Sequence, residues 1–217
     1  VRDWSRQNPG HHPIFIQIEP KTLPAADSGD RPAALDALDD QILSVFEATE
    51  VITPDEVQGS HPTLDAAVTG DGWPTLAQTR GRVLFFLDCG RDDCVTYANA
   101  GAGLAGRQIF ADSEPGDAWS AVRIVNSPGA EARAAVEAGY LVRVFSDGIS
   151  ELLQDGTNEL EEALASGAQI ISTDVPAPRD DMAYFVEIPG GTPSRCNPVT
   201  APASCTSLDI EDPARLR

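Results

Sequence analysis

Runs of β-branched and aromatic residues recur six times along this chain, and between them the pattern turns helix-forming. The runs are Ile14-Phe15-Ile16-Gln17-Ile18, then residues 82–88, 108–111, 121–125, 140–145 and 168–172. Strands that alternate with helices specify an α/β protein with a parallel sheet, because parallel neighbours need a crossover long enough to hold a helix. Pro13 and Pro20 bracket the first run as a short buried strand. Leu35, Leu38, Ile42, Leu43 and Phe46 then recur at helical steps, after a polar stretch at 25–30. Thr53-Pro54-Asp55-Glu56 reads as a helix start, with Thr as cap and Pro at the first helical position. Further starts fall at Thr63-Leu64-Asp65 and at Trp73-Pro74-Thr75-Leu76. Residues 130–138 and 160–165 are helix-forming, stopped by Gly139 and Gly167. A Rossmann-like sheet requires a nucleotide fingerprint and a (β/α) barrel requires eight strands. Six strands fit neither, and Val1 in place of Met points to a processed or truncated chain with structure preceding it.

Charge and cysteine usage narrow the classes of partner. Asp and Glu number 34 against 15 Lys and Arg, a net charge of −19, which argues against nucleic acid or an anionic membrane held by charge alone. No apolar run approaches the roughly 20 residues of a membrane-spanning helix. Cys89–Cys94 and Cys196–Cys205 lack zinc-ribbon spacing and have no adjacent His. Two short-loop disulfides are a simpler reading than free thiols or a metal, and they place the protein in a secreted, oxidising setting.

Gly101-Ala102-Gly103-Leu104-Ala105-Gly106 spells a dinucleotide fingerprint, but a Thr-Tyr-Ala-Asn loop precedes it and a strand follows. Pyrophosphate binding needs the reverse context, so this is a glycine-rich turn. His11 and His12 precede the first strand, and His61 sits in a loop before Pro62. Active sites of (β/α) barrels lie at the other, C-terminal strand ends, so none of the three reads as a general base. The C-terminal ends instead carry Glu19 and Lys21, Asp88, Asn126, Arg143 with Asp147, and Asp174. Carboxylates there suit a hard cation, and Lys or Arg beside them suit a phosphate.

The segment 165–174 (Ala-Ser-Gly-Ala-Gln-Ile-Ile-Ser-Thr-Asp) with Pro176, followed by Ile188-Pro189-Gly190-Gly191 and Arg195-Cys196-Asn197-Pro198-Val199, resembles the calcium-dependent phosphoinositide-specific phospholipase C family, the bacterial and fungal C1-like group. The resemblance continues through Trp4-Ser5, Asn8-Pro9-Gly10-His11, Glu19-Pro20-Lys21, Ile52-Thr53-Pro54-Asp55, Gly72-Trp73-Pro74-Thr75-Leu76, Arg80-Gly81-Arg82 and Gly139-Tyr140-Leu141-Val142-Arg143. It implies one TIM-barrel domain over residues 1–217, incomplete, with six of its eight strands. It also implies Ca2+ at the C-terminal end and attack of an inositol 2-hydroxyl on phosphorus, giving a cyclic inositol phosphate and diacylglycerol. The family's two catalytic histidines lie on the first two strands, upstream of Val1.

By the same resemblance Glu19 is the calcium carboxylate, and Lys21, Arg143 and Asp147 belong to substrate binding, a set that Asp88 and Asp174 join by their strand-end positions. Phe145 replaces the second arginine of the family's V-R-T-R-A-D stretch, and Val175 stands where the family has tyrosine. The expected protein is a secreted, monomeric phosphoric diester hydrolase that touches a membrane surface transiently, inactive as this fragment. The alternatives are a glycerophosphodiester phosphodiesterase, against which the Arg195-Cys196-Asn197-Pro198 close speaks, and a non-catalytic secreted phosphoinositide-binding module.

Overall fold

The computed structural model describes residues 1–24, 29–190, 194–212 and 214. Most of the polar stretch at 25–30, and Gly191 of the Ile-Pro-Gly-Gly motif, lie outside the described residues. The chain divides into two compact units, Val1–Val122 and Arg123–Arg217.

The first unit runs α1 (Arg2–Gln7), β1 (Ile14–Ile18), α2 (Asp30–Val45), a 3-10 turn (Ala48–Glu50), α3 (Pro54–Gln58), α4 (Leu64–Gly70), α5 (Leu76–Thr79), β2 (Val83–Leu87), α6 (Arg91–Tyr97) and β3 (Ile109–Ala111). Its strands form a parallel sheet in the order β1-β2-β3. The central strand, Val-Leu-Phe-Phe-Leu, is buried throughout, as an uninterrupted apolar run in a parallel sheet should be. Phe46 packs edge-on against Phe85, and Trp73 lies 5.3 Å from Phe110. β1, at the sheet edge, is only half-buried, and Phe15 is 38% exposed.

The three expected helix starts are α3, α4 and α5. Thr53 accepts the Glu56 N–H, Thr63 accepts the Ala66 N–H, and Thr75 forms a reciprocal capping box with Gln78. Each oxygen satisfies an N–H that the first helical turn leaves without a partner. The Thr-Tyr-Ala-Asn segment read as a loop differs from expectation, since Thr96 and Tyr97 finish α6. Gly101, Gly103 and Gly106 have positive φ in turns, as the glycine-rich reading requires.

The start of the chain is fastened to β1 by a small polar knot. Ser5 Oγ lies 2.7 Å from His11 Nε2 and donates to the Gly81 carbonyl, whose own N–H donates to His11 O. At Gly81, φ is +76° and an added Cβ would stand 2.5 Å from Pro9 O, so only glycine fits. Residues His11 and Gly81, both within the resembling motifs, are thus packing positions.

The second unit contains most of β4 (Val122–Val125), then α7 (Ala130–Glu137), β5 (Leu141–Phe145), α8 (Ile149–Gln154), α9 (Leu160–Ser166), β6 (Ile170–Ser172) and α10 (Ser207–Glu211). β5 lies between β4 and β6, and β5 and β6 are parallel. Ala132, Ala135 and Val136 bury the inner face of α7, and α9 stops at Gly167 in the left-handed conformation. Both expected disulfides are present, Cys89–Cys94 and Cys196–Cys205, and no cysteine is free. Among the described residues no helix is long and apolar enough to cross a membrane.

Candidate functional site

In the first unit the parallel register aligns Ile18 with Leu87 and Leu87 with Ala111. The Asp88 N–H donates to Ile18 O and the Asp112 N–H to Leu87 O, at 2.8 and 3.0 Å. The residues that follow the three strands, Glu19, Asp88 and Asp112, therefore stand in one row at the C-terminal edge. Gln17 donates its Nε2 to Asp88 Oδ2 at 2.7 Å, and Lys21 pairs with Glu19. Lys21 is the chain's only lysine, and its side chain is 76% exposed.

Two restraints shape the loops around that row. The Cys89–Cys94 bridge closes the turn between Asp88 and α6. Arg31 forks onto Asp93 with both bonds at 2.5 Å and donates a third to Pro24 O. One guanidinium thus ties the loop after β1 to α6, through the bidentate geometry that makes arginine suited to carboxylates.

Calcium takes about six to eight oxygen ligands. Glu19 supplies one carboxylate, and Lys21 already sits on it. Among the described residues, no three His, Cys, Asp or Glu side chains come together in a group able to hold a metal ion. These residues do not make a calcium site on their own.

In the second unit Asp147 is 4% exposed and is the focus of four donors. Oδ1 accepts from Thr173 Oγ1 and the Asp174 N–H, both at 2.9 Å, and Oδ2 accepts from Ser146 Oγ at 2.6 Å and Tyr184 Oη at 2.9 Å. Burial alone would raise its pKa, but these hydrogen bonds outweigh burial and hold the carboxyl below its usual range. The same burial and the Asp147 charge push the Tyr184 hydroxyl up, so it stays a donor. Asp174 accepts the Ile149 N–H at the start of α8, 2.9 Å away. Val175, at the position where tyrosine was expected, is fully buried.

Arg143 is 9% exposed. Its Nη1 donates to Asn126 Oδ1 at 2.8 Å, and its Cζ lies 5.5 Å from the centroid of the Phe145 ring.

The structure thus places Glu19, Lys21 and Asp88 together in the first unit; in the second, Asp147 and Asp174 follow β5 and β6, whereas Arg143, read as a strand-end residue, stands in the middle of β5, because that strand runs on to Phe145. Sequence reasoning passed over Asp112, although the strand-end rule applied to β3 points to it. It also passed over Tyr184, Thr173 and Gln17, which carry no local signal.

The family described as phosphoinositide phospholipase C, Ca2+-dependent, matches residues 1–198. Among solved structures, the calcium-dependent phosphoinositol-specific phospholipase C of a Gram-negative Pseudomonas species aligns with a TM-score of 0.58 at 20% identity, over 80% of this chain and 61% of that one. The Ca2+-dependent phosphatidylinositol-specific phospholipase C of Streptomyces antibioticus aligns with a TM-score of 0.55 at 28% identity, over 79% of this chain and 67% of that one. The chain therefore spans about two thirds or less of the length of these neighbours. No curated protein matches it.

Proposed function

This chain belongs to the Ca2+-dependent phosphoinositide phospholipase C family, and we propose that it is the C-terminal part of a secreted, monomeric phosphoric diester hydrolase that cleaves an inositol phospholipid with Ca2+. The observation that carries this reading is the family match over residues 1–198. The strand-end chemistry agrees with it. Lys21 and Arg143 each have the chemistry to meet a phosphate oxygen, and Asp88 that to accept from a hydroxyl. Asp147, engaged by four donors, and Asp174, which accepts the Ile149 N–H at the start of α8, fix the loops after β5 and β6. Glu19 is one calcium ligand among several.

The remaining calcium oxygens and the acid–base histidines belong to residues outside this chain, in the strands that complete a single barrel. Three observations support that assignment. His11 and His12 come before β1, His61 comes between α3 and α4, and no metal-holding group exists among the described residues. With a charge of −19, contact with an anionic membrane is transient and depends on the cation.

A second reading has its own support: Phe145 stands where the family carries a phosphate-binding arginine, which suits a non-catalytic module that binds phosphoinositide. One assay separates the readings. The protein extended at its N-terminus is given phosphatidylinositol and glycerophosphoinositol, with and without chelator. Release of a cyclic inositol phosphate from phosphatidylinositol, abolished by chelator, is the expected result. Turnover of glycerophosphoinositol alone would identify a glycerophosphodiesterase, and binding without turnover would identify the non-catalytic module. The 217-residue chain alone is expected to be inactive.

A further inference from the structure

We propose that Gln17 is a headgroup-binding residue: its side-chain amide, oriented by Asp88, meets hydroxyls of the inositol ring. The proposal rests on the reading of Lys21 and Asp88 as headgroup contacts, and it adds a neutral contact that selects the ring rather than the phosphate.

The placement follows from the register of the first sheet. Gln17 is level with Phe86, and Phe86 with Phe110, so the three residues form one row across β1, β2 and β3. Phe86 and Phe110 are buried, whereas Gln17, on the edge strand, is half-buried. An apolar side chain would continue that row, and an amide gives up part of its hydration to stand in it. Two residues further along each strand, on the same face, come Glu19, Asp88 and Asp112, the row at the C-terminal edge. Gln17 lies one pleat below them, and its amide reaches up to donate from Nε2 to Asp88 Oδ2 at 2.7 Å.

That bond decides which way the amide faces. An ionised carboxylate accepts hydrogen bonds and does not donate them, so the nitrogen faces Asp88 and the carbonyl oxygen is turned away from it. An amide has two N–H donors and one carbonyl acceptor. Among the described residues Asp88 is the one partner of this amide, so Oε1 and the second N–H are open to a ligand. A ring hydroxyl both donates and accepts, and two neighbouring hydroxyls match an acceptor and a donor held in one plane. A phosphodiester oxyanion only accepts. The amide oxygen repels it, and so does the Asp88 charge beside the nitrogen. Gln17 therefore reads the ring, while the charge of Lys21 suits the phosphate.

The test is NMR titration of the chain with myo-inositol, with inorganic phosphate as the reference probe. In the parent, myo-inositol should shift the Gln17 side-chain amide signals along its own saturation curve. Gln17→Met, similar in size and without the amide, should weaken myo-inositol about fivefold, the scale of one lost neutral hydrogen bond. The same variant should keep phosphate affinity within error of the parent, which also reports an intact fold. Asp88→Ala should weaken myo-inositol too, because the amide is then able to turn. A parent that fails to bind myo-inositol, or fails to bind phosphate, would overturn the reading of this edge as a headgroup site. If the parent binds both and Asp88→Ala weakens myo-inositol, but Gln17→Met does not or the Gln17 signals stay in place, only the role of Gln17 is overturned. Equal losses of myo-inositol and phosphate in Gln17→Met would also overturn it, making the amide a structural group. If Gln17→Met weakens myo-inositol and Asp88→Ala does not, the orienting role of Asp88 is overturned.

Discussion

Asn197 donates its Nδ2 to the carbonyl of Gly167, 2.6 Å away, and so closes the C-terminal end of a helix 30 residues earlier in the chain. Its Oδ1 at the same time accepts the N–H groups of Val199 and Thr200. Arg195 adds a bond to the Leu164 carbonyl in the last turn of α9. The Arg-Cys-Asn-Pro segment is therefore, in this unit, a helix cap delivered from a distance, with the Cys196–Cys205 bridge beside it.

Asn197→Ala should cost about 1–2 kcal/mol of unfolding free energy, because it leaves helix-end groups without partners. Gly167→Ala should cost at least about 2 kcal/mol. The reason is twofold: φ is +79°, and the added Cβ would stand 2.4 Å from Val199 Cγ2. Urea denaturation of both variants checks the order, and a neutral Gly167→Ala would remove the cap from this account.

Loss of either disulfide should be felt mainly through the unfolded chain. Loops of 5 and 9 residues give about 2 and 2.5 kcal/mol by chain entropy. Paired Cys→Ala variants, compared with the parent under oxidising conditions, read those values directly. Under a strong reductant the differences should vanish.

Acid should unlock the contact between α1 and the 3-10 turn. Glu50 is held down to about 2, from an ordinary 4.5, first by the Arg6 hydrogen bond and then by the Glu47 N–H, with Arg2 and Arg6 charges adding to it. A depressed carboxyl contributes stability above its unfolded pKa and loses it as pH falls through the folded value. The contribution is thus complete above pH 4.5 and gone below about 2. Glu50→Gln should flatten that part of the stability–pH curve and leave the neutral region almost parallel to the parent.

Lys21 offers a chemical probe of the proposed headgroup site. As the only lysine, it and the N-terminal amine are the targets of an acetylating reagent. Myo-inositol 1-phosphate should slow acetylation of Lys21 several-fold while leaving the N-terminal amine unaffected, as read by peptide mass spectrometry. Equal rates with and without the phosphate would remove Lys21 from that site.

Much of the scaffold was legible along the chain. The Val83–Leu87 run announced a strand buried on both faces, and three threonines announced three helix starts. The short helices α1, α6, α8 and α10 were not legible. Helices of five to seven residues are too short for propensity to sustain, and tertiary packing decides whether they form. Asp112 was passed over because β3 has only three residues to announce it.

Local patterning by itself determined which residues follow the strands, because apolar runs and turn chemistry act between neighbours in the chain. It placed Glu19, Lys21, Asp88, Asp147 and Asp174 just past strand ends, and it paired the cysteines, but Arg143 stands in the middle of β5. What each strand-end group does with its hydrogen-bonding capacity was decided only by the tertiary structure. Asp147 is occupied by Tyr184, 37 residues away, and Arg143 donates to Asn126, 17 residues before it. Hydrogen bonds of that kind depend on distances of a few tenths of an ångström between segments that only folding brings together, and no pattern within either segment encodes them.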